Sequence, residues 1–161
     1  MGRKLGGGQM SGFSIQKADL SHLGRLVELE RLCFADPWGE ADLSYELNDP
    51  LCLWLVAVDE TGTVRAYAGS RLVLDEADIM NIAVVPELRR QGLGSRLLAE
   101  LLHRLTAGGA RVVTLEVRES NAPARAMYER FGFVQAGLRP NYYSHPREHA
   151  LLLRRELEVE T

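Results

Sequence analysis

Apolar positions along this chain change their spacing several times, and each change marks an element. Phe13-Ser14-Ile15 alternates, as a short edge strand does. Leu23, Leu26, Val27 and Leu29 then recur at helical spacing and predict a helix from Leu20 to Cys33, with Asp19 as its N-cap. Pro37-Trp38 interrupts, and Glu40 to Leu47 predicts a second short helix ending near Asn48-Asp49-Pro50. Leu51 to Val58 and Val64 to Leu74 read as strands around a turn at Asp59-Glu60-Thr61-Gly62. After Asp75-Glu76 comes Ile79 to Val85, an apolar, strand-like run broken only by Asn81. Leu93, Leu97, Leu98, Leu101, Leu102 and Leu105 form one broad helical stripe, closed by Gly108-Gly109. Arg111 to Val117 is rich in β-branched residues and predicts a strand. Ser120 or Asn121 caps the next helix, where Pro123 is tolerable because it lies in the first turn, and Gly132 stops it. Phe133 to Ala136 and Ala150 to Leu157 supply two final strands. The order β-α-α-β-β-β-α-β-α-β-β predicts an α/β chain with a mixed sheet and helices on both faces.

Composition narrows the partners more than the fold. The 161 residues suit one domain with a self-sufficient core, and 46% hydrophobic with 25% charged residues is ordinary for a globular chain. A net charge of −3 argues against a nucleic-acid binder, which needs a basic face. No apolar run reaches the ~18 residues of a membrane span. The first residues carry charge but no apolar h-region, so 1–11 is expected to be a flexible leader and 12–161 the domain. Cys33 and Cys52 lack metal-like spacing, and reduced thiols in a cytoplasmic protein fit best. His22, His103, His145 and His149 show no ligand spacing either, and no metal is expected.

The chemistry concentrates in Pro86-Glu87-Leu88-Arg89-Arg90-Gln91-Gly92-Leu93-Gly94-Ser95, which joins the apolar strand to the leucine-striped helix. A helix start leaves backbone N–H groups unpaired and carries partial positive charge, so it attracts anions. Gly92 and Gly94 let that backbone approach a bound group, and Arg89 and Arg90 add fixed charge. A diphosphate seat is the natural expectation. It is neither a P-loop, since no Lys follows Gly94, nor a dinucleotide fingerprint, since Leu97 stands where the third glycine belongs. A basic glycine turn that merely starts a helix is the alternative.

What remains is R-x-x-G-x-G followed by a helix, which resembles the coenzyme A loop of the GNAT acetyltransferases. The downstream stretch Leu115-Glu116-Val117 with Asn121, Ala124, Tyr128, Gly132 and Phe133 resembles that family's L-x-V…N-x-x-A-x-x-x-Y-x-x-x-G-F. Asn81-Ile82-Ala83-Val84, Leu115-Glu116-Val117-Arg118, Asn141-Tyr142-Tyr143 and Cys33-Phe34…Pro37-Trp38 are similar to the RimI-type acetyltransferases of ribosomal-protein N-terminal alanines. The resemblance spans roughly Phe13 to Leu157. It implies a single-domain GNAT fold, a mixed and mostly antiparallel seven-stranded sheet with helices on both faces. It also implies acetyl-CoA as co-substrate and the N-terminal peptide of a ribosomal protein as acceptor. One departure stands out: Glu148-His149-Ala150 replaces the usual Glu-Asp-Ala, which bears on peptide preference.

Acetyl transfer to an amine needs a neutral nucleophile, donors for the carbonyl oxygen and a proton for the departing thiolate. A free α-amine of pKa ~8 is about 10% neutral at pH 7, against about 0.04% for a lysine. One carboxylate is therefore a sufficient base for an N-terminus. Strand alternation puts Glu116 on the face of Val112 and Thr114, opposite Val113, Leu115 and Val117. It is the candidate base, and an ion pair to an arginine is its alternative use. Tyr128, one turn beyond Ala124, is the candidate acid, or else a core tyrosine. The resemblance implies these two roles. It further implies that the backbone of Ile82, Ala83 and Val84 pairs with the pantetheine arm and holds the thioester oxygen. Arg89, Arg90, Gln91, Gly92, Leu93, Gly94 and Ser95 would then hold the diphosphate, and Asn121 the arm, with helix capping as its alternative. Trp38, Tyr142 and Tyr143, large amphipathic side chains in loops, are candidates to wall the peptide groove, with a place in the core as the alternative for Trp38. With no Ser-His-Asp or Cys-His set evident, direct attack in a ternary complex is expected rather than an acyl-enzyme. Two other outcomes stay open: a broader N-terminal, lysine or small-amine acceptor, and a coenzyme A-binding module without turnover.

Overall fold

A computed structural model describes residues 12–158, so the expected leader lies outside the described residues. Among these residues seven strands form one sheet in the order β1-β2-β3-β4-β5-β7-β6, with four α-helices, a single α/β domain of the expected class. The strands are β1 (Ser14–Lys17), β2 (Cys52–Val58), β3 (Val64–Val73), β4 (Glu76–Val84), β5 (Val112–Arg118), β6 (Val134–Ser144) and β7 (Arg147–Glu156). The helices are α1 (Leu23–Cys33), α2 (Glu40–Asn48), α3 (Leu93–Ala107) and α4 (Ala122–Arg130). Pairing is antiparallel for β1 with β2, β5 with β7 and β6 with β7, and parallel for β4 with β5.

Packing groups the domain into two compact units. Among the described residues, one comprises 12–69 with Asn81–Leu102, and the other Ser70–Met80 with 103–158. In the first, Leu26, Leu29, Leu43, Trp54, Val56 and Tyr67 are the buried centre. Asp19 starts the helical segment as expected, but through a capping box with His22 on a 3-10 turn, Leu20–His22, which then hands over to α1. Trp54 stacks on Tyr67 at 5.8 Å and meets Trp38 edge-on at 5.9 Å. Gly69 is required beside it, since a Cβ there would sit 2.5 Å from the Trp54 ring.

In the second unit β5 alternates as expected. Val113, Leu115 and Val117 are buried while Val112, Thr114 and Glu116 are part-exposed. The final hairpin corrects the sequence-based expectation. β6 does not stop at Ala136 but runs to Ser144, so Tyr142 and Tyr143 lie on a strand, not in a loop. Gly137, Pro140 and Asn141 carry turn-forming propensity, yet the hairpin absorbs them as register shifts between Gln135 and Gly137 and between Arg139 and Tyr143. Asn141 takes a left-handed backbone, φ 54°, and its N–H donates to His149 Nδ1 at 2.9 Å.

Candidate active site

The ladder of β4 with β5 pairs Glu76–Asp78 with Val112–Thr114; among the described residues it ends there, and β4 runs on to Val84. Ile82 and Val84 are half-buried on that continuation, and Ala83 points into the core. A 3-10 turn, Pro86–Leu88, which the sequence reading missed, leads into the loop. Arg89 Nε donates to the Val84 carbonyl at 3.0 Å and Gln91 Nε2 to the Glu87 carbonyl at 3.2 Å, so both brace the loop. Arg90, by contrast, stands exposed, with a left-handed backbone of φ 66°. Gly92 follows at φ 90°, and its carbonyl accepts the first α3 bond, from Arg96 N–H at 3.0 Å. The amides of Leu93, Gly94 and Ser95 precede any intrahelical partner. A Cβ built on Gly92 would meet no heavy atom within 4 Å. Left-handed backbone, exposed arginine, open space and a fifteen-residue helix starting there fit a diphosphate.

One carboxyl group in this unit went unnoticed in the sequence. Glu30 on α1 is wholly buried and accepts from three separate segments: Trp38 N–H at 2.8 Å, Asn81 Nδ2 at 2.9 Å and the Tyr67 hydroxyl. Burial and the neighbouring Glu30 push the Tyr67 phenol far above its ordinary pKa, so it stays a donor. The signal was present, because Glu30 lies four residues after Leu26 and three after Val27, on the buried stripe. Trp38 is accordingly a half-buried loop residue, tied to Glu30 by its backbone and to Trp54 by its ring.

In the second unit Glu116 keeps 29% of its side chain exposed and accepts from Arg139 Nε at 3.0 Å. The arginine ion pair considered above is therefore present, and its partner comes from β6. Tyr128 is buried on α4 and meets Phe133 edge-on at 5.6 Å. Burial, and then Tyr143, push its phenol well above the ordinary value, so it keeps its proton at neutral pH. Tyr143 is pushed up to about 12 by burial first, with Tyr142 and Glu116 adding to it. Tyr143 thus lies within electrostatic reach of both the candidate acid and the candidate base. Tyr142 packs edge-on against it at 5.0 Å and is 53% exposed.

Arg118 organises this corner. Its guanidinium lies 4.3 Å from the centre of the Tyr143 ring, pairs with Glu148 at 3.1 Å and donates to the His145 and Pro146 carbonyls. Hydrogen bonding from Ser120, with Arg118 beside it, holds the Glu148 carboxyl below its usual range. Asn121 caps α4, accepting from Ala124 N–H at 3.2 Å, so its capping role is occupied. Glu116, Tyr128, Tyr142, Tyr143 and Asn121 thus belong to one unit, while Trp38, Ile82–Val84 and the 89–95 loop belong to the other. A cavity of about 510 Å³ lined by His103, Thr106, Arg111 and Glu158 includes none of these residues. Among the described residues no cluster of His, Cys, Asp and Glu is arranged to hold a metal, and no helix is long and apolar enough to cross a membrane.

The chain is similar to known proteins over this same span. The family model "Acetyltransferase (GNAT) family" matches residues 23–133. The [ribosomal protein bS18]-alanine N-acetyltransferase of Escherichia coli K12 is 36% identical over 142 residues, 87% of this chain and 95% of the relative. The crystal structure of the ribosomal-protein-S18-alanine N-acetyltransferase from Escherichia coli superposes with a TM-score of 0.85 at 34% identity, covering 92% of this chain and 96% of that one. Arabidopsis thaliana NAA60, solved in complex with acetyl-CoA, shares the fold at a TM-score of 0.82 and 18% identity, covering 90% and 98%. With a family model over most of the chain and a relative above 30% identity along nearly its whole length, this chain belongs to the GNAT family of acetyltransferases.

Proposed function

We propose that this chain is a cytoplasmic enzyme that acetylates the α-amine of the N-terminal alanine of ribosomal protein bS18, by direct transfer from acetyl-CoA in a ternary complex. The observation that carries the acceptor is the full-length similarity to the Escherichia coli bS18-alanine N-acetyltransferase. Cys33 and Cys52, both present as thiols, are in keeping with a reducing compartment.

Acetyl-CoA, when bound, supplies an acetyl group activated as a thioester. The backbone of Ile82, Ala83 and Val84, beyond the last β5 pair, offers hydrogen bonds to an extended arm and a donor for a carbonyl oxygen. Arg90 and the amides from Gln91 to Ser95 hold the diphosphate, with Arg89 tying that loop to Val84. Glu116 accepts a proton from the acceptor amine, a small task because about 10% of an α-amine is already neutral at pH 7. Tyr128, protonated at neutral pH, is placed to donate to the leaving thiolate as the amine displaces it. Asn121 orients the arm while capping α4. Tyr142, Tyr143 and Trp38 flank the peptide, and Arg118 fixes the Tyr143 ring for that purpose.

Turnover on hexapeptides differing only in their first residue tests this reading. The bS18 hexapeptide with alanine first should be acetylated fastest, with mass spectrometry placing the acetyl group on the α-amine. Modification confined to lysine side chains, or binding of acetyl-CoA without turnover on any peptide, would overturn it.

A further inference from the structure

Glu116 meets a cation before any acceptor arrives. Its Oε2 accepts from Arg139 Nε at 3.0 Å, with side chains 29% and 53% exposed respectively. The acceptor in turn arrives mostly as an ammonium, since only about 10% of an α-amine is neutral at pH 7. Two cations therefore have reason to occupy one carboxylate.

The two arginines of this corner are anchored very differently. Arg118 is held by the Glu148 carboxylate, two backbone carbonyls and the Tyr143 ring. The Arg139 side chain is bonded to Glu116 through Nε alone among the described residues, and most of it faces water. Its backbone position is nonetheless well defined. Arg139 pairs with Ala150 as the last residue before the β6 register shift, and pairing resumes only at Tyr143 opposite Glu148. A bulge of this kind re-aims the side chains beside it. The Asn141 N–H that shapes it is satisfied by His149 Nδ1. The hairpin therefore delivers a guanidinium to Glu116 on a tether that can swing away, while Arg118 stays fixed.

We infer that Arg139 is a placeholder on Glu116 that the acceptor's α-ammonium displaces, one cation exchanging for another so that the carboxylate keeps a charged partner until it takes the proton. This rests on Glu116 as the base. Arg139 is on this account a positioning residue, and its effect falls on acceptors that carry an amine.

The test compares Arg139→Met with the unaltered enzyme on the bS18 hexapeptide, and on a des-amino hexapeptide whose first residue lacks the α-amine, used as a competitive inhibitor. Removing the competing cation should lower KM for the amine peptide about two- to fivefold, the scale of an exposed ion pair. The inhibition constant of the des-amino peptide should stay unchanged, because that peptide has no cation to exchange. In an E116Q background the R139M effect on KM should vanish. An unchanged or raised KM in R139M, an equal shift for the des-amino peptide, or a KM effect that persists without the carboxylate would each overturn the placeholder. An E116Q enzyme with undiminished kcat would instead remove Glu116 as base, and the proposal with it.

Discussion

Glu30 and Glu116 sit in different units and are held in opposite ways. Glu30 is wholly buried and accepts hydrogen bonds from a backbone amide, a phenol and a side-chain amide, none of them a formal charge. Glu116 keeps 29% of its side chain in water and meets one guanidinium. A buried carboxyl group surrounded by donors is a joint: taking it away strands every donor that depended on it. A solvent-facing ion pair is a loose clasp whose net worth is small and whose partner is exchangeable. The first arrangement suits holding α1, the Trp38 loop and β4 together. The second suits the exchange of partners proposed for Glu116.

The contrast breaks most visibly if the loose carboxylate proves unimportant for rate. Glu116→Gln keeps shape and removes the proposed base, so kcat should fall about 10²- to 10⁴-fold, the span of general acid–base catalysis. Its unfolding free energy in urea should move by less than about 1 kcal/mol, because only an exposed pair is lost. A large stability loss with an intact rate would make Glu116 a structural residue.

The reverse pattern is expected at the joint. Glu30→Ala leaves the Trp38 N–H, Tyr67 hydroxyl and Asn81 amide without their acceptor and opens a void in the core. About 3 kcal/mol of stability should be lost, read as a lower urea midpoint at unchanged slope. A loss under about 1 kcal/mol would mean that water replaces the carboxyl group easily and that Glu30 is no more fixed than Glu116.

These two residues also measure how far a single sequence carries. Periodicity was enough for the elements that bury one face: the leucine stripe predicts Leu93 to Leu105 and the helix spans Leu93–Ala107, while β5 alternates as its sequence does. It failed where tertiary pairing overrides local propensity. Gly137, Pro140 and Asn141 look like the end of a strand, and only the ladder to β7 carries β6 past them. The site divides along the same line. The loop glycines, Glu116 and Tyr128 stand at fixed local offsets, so the sequence alone is enough to nominate them. Glu30 lies on the apolar stripe, but two of its three donors come from 37 and 51 residues away, a distance no periodic pattern spans. An arginine for Glu116 was foreseeable in kind, but not that Arg139, 23 residues on, supplies it.

A third carboxylate lies between the two extremes and sharpens the comparison with the smallest effect. Asp59, in the turn between β2 and β3, has donors as plentiful as those of Glu30 but sits at the surface. Its Oδ1 accepts from Thr61 N–H at 2.9 Å, Thr61 Oγ1 at 2.6 Å and Thr63 N–H at 3.0 Å, and Oδ2 pairs with Arg65 at 3.2 Å. The Thr61 hydroxyl, followed by the Thr63 amide, pulls its pKa from near 3.8 down to about 2. A pKa lower in the folded than in the unfolded chain means that the folded state binds the proton less readily. The stabilisation is therefore complete above about pH 4 and is lost as pH falls towards 2. Thermal melts of the native chain and Asp59→Asn should thus differ most between pH 5 and 6, and the difference in Tm should close as pH falls from about 4 towards 2. A gap that stays constant down to pH 2 would show that the turn is held by shape rather than by the charge of Asp59. Donors at a surface would then fix a carboxylate no better than the single guanidinium fixes Glu116.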